Sequence, residues 1–243
     1  MELLILSSLT GLMTLIGAVG VLFFGQPGKK VLAFYLGLSA GIMVLVVLLD
    51  LLPAAFSQGP LESVGIGMGL GLMVMMILHQ ILHGIVNCRP ISVSPKVQEF
   101  YKMGMMMALA IAFHNVPEGI AIGAGYEAHQ ELGVLVSLSI ALHNVPSGIG
   151  IAIPFVMANV RKKRIAIVTL GVSLCTPLGA MLGKYFFVGS TFMVSMGIAF
   201  AAGAMGYIVW KEIGPTALRH DKLSAQLGMA GSIVILYIVH ILR

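Results

Sequence analysis

Charge is what this sequence has least of. Only 9% of its 243 residues are Asp, Glu, Lys or Arg, and 58% are hydrophobic. A water-soluble domain carries about a quarter charged residues. This chain cannot cover itself with polar surface, so an ordinary water-soluble enzyme or binding module is excluded. Cysteine is nearly absent too. Cys88 and Cys175 stand far apart and form no CxxC pair, so no disulfide framework is expected. The opening MELLILSSLTGLMTLIGAVGVLFF has no basic stretch and no small-residue cleavage site before its apolar run. It reads as a retained first span, not a removed signal peptide. No P-loop and no HExxH occur, which argues against ATP as a driving force and against an intramembrane metalloprotease. No enzymatic activity is expected.

Long apolar runs are abundant instead. A helix needs roughly 20 apolar residues to cross a bilayer core. Eight runs meet that length, at about 3–25, 31–53, 62–86, 103–126, 132–158, 165–187, 190–210 and 224–242. The alternation of apolar and polar residues that marks a membrane β-barrel is missing. The expected fold is an all-α polytopic membrane protein, with residues 1–243 forming a single transmembrane domain.

The net charge of +5 does not point to nucleic acid, because the basic residues sit in short loops. Twelve of the 14 Lys and Arg fall in alternate loops, those after spans 1, 3, 5 and 7; only Lys184 and Arg243 fall on the other side. Basic loops stay in the cytosol. Both termini are therefore expected outside, in the cell (inner) membrane.

Within this apolar sequence one polar string occurs twice. Residues 108–125, ALAIAFHNVPEGIAIGAG, align with 137–154, SLSIALHNVPSGIGIAIP, and ten of the 18 positions are identical. Spans 4 and 5 are thus variants of one element running in opposite directions, as around the midplane sites of transporters. His114 and His143 fall near the middle of their spans, where an ionisable residue is costly and faces a bundle interior or a wet cavity. A lone membrane histidine often only bonds between helices; two copies at matched depth, one with a glutamate, point to a site.

His114 and Glu118 are four apart and share a helical face. Imidazole plus carboxylate suits a divalent transition metal. His143 and Ser147 repeat the spacing, and Asn115 and Asn144 add amides that could ligate weakly or hold neighbouring groups. Pro117 and Pro146 remove the usual partners of the Phe113 and Leu142 carbonyls, which adds polarity at mid-depth.

Secondary candidates flank this set. Asp50 is placed to attract cations in an outer vestibule. His79 and His83, four apart, could relay an ion near the inner end of span 3. Glu212, beside Lys211, reads as an ordinary boundary charge. The 17 methionines face several directions and read as packing.

HNVPEGIAIG and HNVPSGIGIAIP resemble the paired signature of the ZIP (Zrt/Irt-like) metal transporters. The resemblance covers essentially the whole chain and includes LLDLLP at 48–53 and CTPLGAMLG at 175–183. It implies metal influx toward the cytosol, and two inverted three-helix units that flank helices 4 and 5 and move against each other. It also implies a span 2 methionine at the metal, matched here by Met43.

Two positions depart from the pattern. Ser147 stands where span 5 usually has a glutamate, and Thr176 where span 6 of two-metal members has one. Two divalent ions beside one carboxylate would leave strong uncompensated charge, so one central metal is expected. Its ligands would be His114, Glu118 and His143, with Met43, Asn115 or Asn144. The loop NCRPISVSPKVQEFYK lacks the histidines common in the family.

The expected function is a secondary transporter of a divalent transition metal. Zn2+ comes first, then Fe2+, Mn2+ or Cd2+, each as transported substrate with no resident cofactor. The alternative is a ZIP-like membrane protein with a degenerate site, acting as a metal sensor or non-transporting partner. The partners are the metal ion and the lipid bilayer; a homodimer is left open, and no nucleic acid is expected.

Overall fold

Inside lipid a backbone must satisfy its own hydrogen bonds, and a single apolar run can do so only as a helix. The structure is a computed structural model that describes residues 1–24, 28–87, 95–186 and 190–241. A few side chains within these ranges, those of His83 and His114 included, lie outside the described residues.

The described residues form eight long helices and no strand. These are α1 (Glu2–Phe24), α2 (Lys29–Gln58), α3 (Leu61–Asn87), α4 (Pro95–Ala128), α5 (Gln130–Met157), α6 (Lys162–Phe186), α7 (Thr191–His220) and α8 (Lys222–Ile241). The first seven are long and apolar enough to cross a membrane. The 20 residues of α8 reach about 30 Å, which also suffices. Outward faces carry large exposed apolar side chains, among them Ile5, Leu9 and Ile16 on α1 and Ile233 and Val234 on α8. Such faces suit lipid tails, and the chain is an all-α, multi-pass membrane protein.

The helices run past the apolar spans. The second continues to Gln58 rather than ending near 53, the fourth starts at Pro95 rather than near 103, and the seventh reaches His220 rather than 210. Hydropathy registers only the immersed length, whereas backbone bonding continues into the polar rim. Pro53 and Pro215 do not stop their helices. Each is preceded by one wide π-type turn, Val47–Leu51 in α2 and Val209–Ile213 in α7. There Leu52 N–H donates to the Val47 carbonyl and Gly214 N–H to the Val209 carbonyl. The wider turn makes room for the ring that would otherwise strike the preceding carbonyl.

These two turns belong to a larger symmetry. Val47, Asp50 and Pro53 recur as Val209, Glu212 and Pro215, each 162 residues on (50 to 212). The packing follows the same exchange: α1 packs on α5 as α6 does on α4, α3 on α7 as α8 does on α2, and α2 on α5 as α7 does on α4. Two three-helix units, α1–α3 and α6–α8, therefore flank the α4–α5 pair. In space the helices also sort into two groups, α1/α4/α5/α6 and α2/α3/α7/α8. The first is tied together at one end. There Glu2 accepts from Tyr126 at 2.8 Å and Gln130 at 3.1 Å, and Lys184 meets Glu127 at 3.5 Å.

Small residues let the first group close up. A Cβ on Gly148 would stand 1.8 Å from the Thr14 carbonyl oxygen, and one on Gly119 2.1 Å from that of Thr176. Both contacts are with backbone, which cannot step aside. Gly148→Ala is expected to destabilise the detergent-solubilised protein by about 1–3 kcal/mol. Gly69→Ala, where nothing stands within 4 Å, should be neutral or slightly stabilising. Thermal unfolding of the two variants side by side checks this.

Candidate metal centre

The two HNVP copies lie on α4 and α5, which pack against each other at the middle of the molecule. Both helices continue through Pro117 and Pro146. Glu118 and His143 face each other across this contact, with Glu118 Oε1 2.5 Å from His143 Nε2 and both side chains fully buried. A carboxylate taken out of water survives only with close partners, and His143 is one. His114 lies on α4 one turn before Glu118, but its side chain is outside the described residues.

Ser147, where the resemblance leads one to expect a glutamate, is occupied locally. Its hydroxyl donates to the His143 carbonyl at 2.9 Å and lies 3.3 Å from the Ser39 hydroxyl of α2. The hydroxyl of Ser39 also donates to the His143 carbonyl, at 3.5 Å. Met43, fully buried, stands one turn beyond Ser39 on α2.

The two asparagines brace the bundle symmetrically. Asn115 Nδ2 donates to the Val172 carbonyl of α6 and Asn144 Nδ2 to the Thr10 carbonyl of α1, both at 3.0 Å. Their Oδ1 atoms, and the hydroxyls of Thr14 and Thr176, are buried with no hydrogen-bond partner among the described residues. Unsatisfied buried oxygens of this kind are usually met by water or a cation. All four are neutral. Among the described residues no group of three or more His, Cys, Asp or Glu comes together.

Asp50 is 4% exposed and accepts from Ser139 at 3.4 Å. Ser139 is one helical turn before His143 on α5. Beside Asp50 opens a cavity of about 540 Å³, also lined by Pro53, Ser57, Gln58, His129 and Leu132. At the other end, His79 Nδ1 lies 2.5 Å from Glu212 Oε1 and edge-on to Tyr207. His83 follows on α3, its side chain outside the described residues. Glu212, read from the sequence as a boundary charge, is the symmetry counterpart of Asp50. The recurrence of VLLDLLP as VWKEIGP at the same spacing was the signal for it.

Comparison with known proteins identifies the family. A family model described as ZIP Zinc transporter matches residues 88–238. The chain belongs to the ZIP family. Its similarity to prokaryotic ZIP proteins extends over nearly the whole length. A zinc transporter ZupT of Chlorobium luteolum is 34% identical, over 90% of this chain and 89% of its own. A ZupT of Escherichia coli O7:K1 is 37% identical, over 90% of this chain and 87% of its own. That of Escherichia coli K12 is 38% identical over the same shares. These ZIP relatives are named as transporters, not enzymes.

The buried pair gives this ZIP chain a testable signature. His143→Ala leaves Glu118 buried without this partner, at a cost of about 3–5 kcal/mol. Glu118→Ala in that background should recover part of the loss. Metal-free thermal stability of both singles and the double is expected to give a coupling above about 1 kcal/mol.

Proposed function

We propose that the chain is a secondary transporter that carries a divalent transition metal across the membrane into the cytosol, with zinc as the first substrate and iron(II), manganese(II) and cadmium as further ones. The observation that carries this reading is the fully buried Glu118–His143 pair between the two HNVP copies in a chain of the ZIP family. His114, Glu118 and His143 are the primary ligands, Met43 supplies a thioether from α2, and the Oδ1 atoms of Asn115 and Asn144 are neutral acceptors beside them. These side chains replace the ion's hydration shell where water is excluded. Zinc suits such a set because it accepts imidazole and carboxylate at low coordination number.

The ion path runs from Asp50 and its cavity, down α5 by Ser139, to the central pair, and out past His79 and Glu212 toward His83. The basic loops put the Asp50 end outside and the Glu212 end in the cytosol. One ion binds at a time. Ser147 holds a neutral hydroxyl already bonded to His143 and Ser39, and Thr176 is neutral as well. A second divalent ion beside the single Glu118 charge is electrostatically opposed.

The test is uptake by purified protein in liposomes, with zinc, iron(II), manganese(II) and cadmium offered in parallel. Zinc uptake is expected, and His114→Ala and Glu118→Ala are expected to abolish it while the protein stays folded. Folded protein that moves no metal would favour a sensor or non-transporting partner. Ser147→Glu is expected to tighten zinc binding and admit a second ion, read by calorimetric titration. Unchanged affinity and stoichiometry would overturn the one-ion reading.

A further inference from the structure

RKKR, residues 161–164, spans the end of the α5–α6 turn and the first turn of α6, and the turn itself is held by its backbone. Asn159 takes a positive φ of 55°. The N–H groups of Asn159 and Val160 return to the Val156 and Phe155 carbonyls, both at 3.0 Å. That is a helix-ending pattern that holds its carbonyls bonded. All four basic residues are exposed. Among the described residues none of them pairs with a carboxylate, and the nearby exposed Glu99 of α4 is no exception. Four uncompensated cations on four consecutive residues repel one another unless something anionic joins them.

Beside them is a cavity of about 410 Å³, lined by Arg161, Arg164, Tyr101, Val97, Asn159 and Val160. Arg164 is held over it by the Tyr101 hydroxyl, 3.4 Å away, with its guanidinium 5.9 Å from the Tyr101 ring centre. Tyr101 in turn leans edge-on against Phe155. One wall of the cavity thus carries the Arg164 guanidinium resting against Tyr101, a fork of N–H donors of the kind that suits phosphate oxygens.

Below the cluster α6 enters the membrane with an apolar stripe at helical spacing, which Lys163 heads. Ile167, Leu170, Leu174 and Leu178 are 59%, 40%, 52% and 62% exposed. From Ile167 to Leu178 the stripe runs about 16 Å, close to half the thickness of a bilayer core. A basic pocket at the head of a helix whose adjoining face carries an acyl-length apolar stripe has both halves of a phospholipid site, where a free phosphate would use only the first. We infer that the α5–α6 turn is a binding site for an anionic phospholipid of the cytosolic leaflet, its phosphate between Arg161 and Arg164 and one acyl chain along Ile167–Leu178. Because α5 also carries His143, a lipid seated there grips the same helix group that holds the candidate metal centre.

The experiment is native mass spectrometry of the full chain in detergent, with phosphatidylglycerol and phosphatidylcholine of identical acyl chains in competition. Wild type is expected to retain phosphatidylglycerol preferentially. Arg161→Gln/Arg164→Gln should cut that preference by about tenfold or more, as removal of two interfacial cations implies. Arg161→Lys/Arg164→Lys keeps the charge and should keep a measurable preference, so the site stays testable if the Gln pair fails to fold. Lys29→Gln/Lys30→Gln removes the same charge from another loop on the same side and should leave the preference intact. An equal loss in that variant would mean diffuse surface attraction and would overturn the site. So would no preference in wild type. Displacement of phosphatidylglycerol by millimolar inorganic phosphate would assign the pocket to a soluble anion and overturn the lipid reading.

Discussion

One buried carboxylate organises the centre of this molecule. Glu118 is the one acid in the paired motifs, it lies fully inside, and an ionised group in a low dielectric is tolerable only with close partners. His143 supplies one from the facing helix at hydrogen-bond distance. That contact sets the register of α4 against α5, which places the two prolines, the two asparagines and Ser147 at matching depth. The glycines make the approach possible. Gly119 and Gly148 let α6 and α1 come within backbone contact, and Asn115 and Asn144 then reach the carbonyls they brace.

The same symmetry sets the two ends of the proposed path. A wide turn before a proline places an acid on α2 and its counterpart on α7. One meets a serine and an open cavity; the other meets a histidine. Asp50 takes a contact from Ser139 of α5 and Glu212 one from His79 of α3, so equivalent positions in the repeat meet different helices.

Much of this was legible in the chain itself. The eight spans, the all-α fold, the HNVP echo and the family followed from apolar run length, charge placement and motif. Helix ends were less legible, because Pro53 and Pro215 look like stops until the π-type turns that absorb them are seen. Glu212 is the related case. Its neighbour Lys211 and its place at a span end are ordinary, and only its relation to Asp50 and its contact with His79 set it apart. The asparagines show the opposite case: adjacency to each histidine suggested ligands, and the structure first gives their amides a bracing role.

The sequence by itself determined what depends on composition and order. The solvent is lipid, the elements are helices, the basic loops share one side, and the centre carries one carboxylate. Tertiary structure decided what depends on approach between segments distant in the chain. It paired Glu118 with His143 and His79 with Glu212, and it set Ser147 against Ser39. It also gathered Arg161 and Arg164 with Tyr101 around one cavity. The reason is physical: hydropathy is a sum over neighbours along the chain, whereas hydrogen bonds and ion pairs act over about 3 Å between groups the chain alone does not bring together.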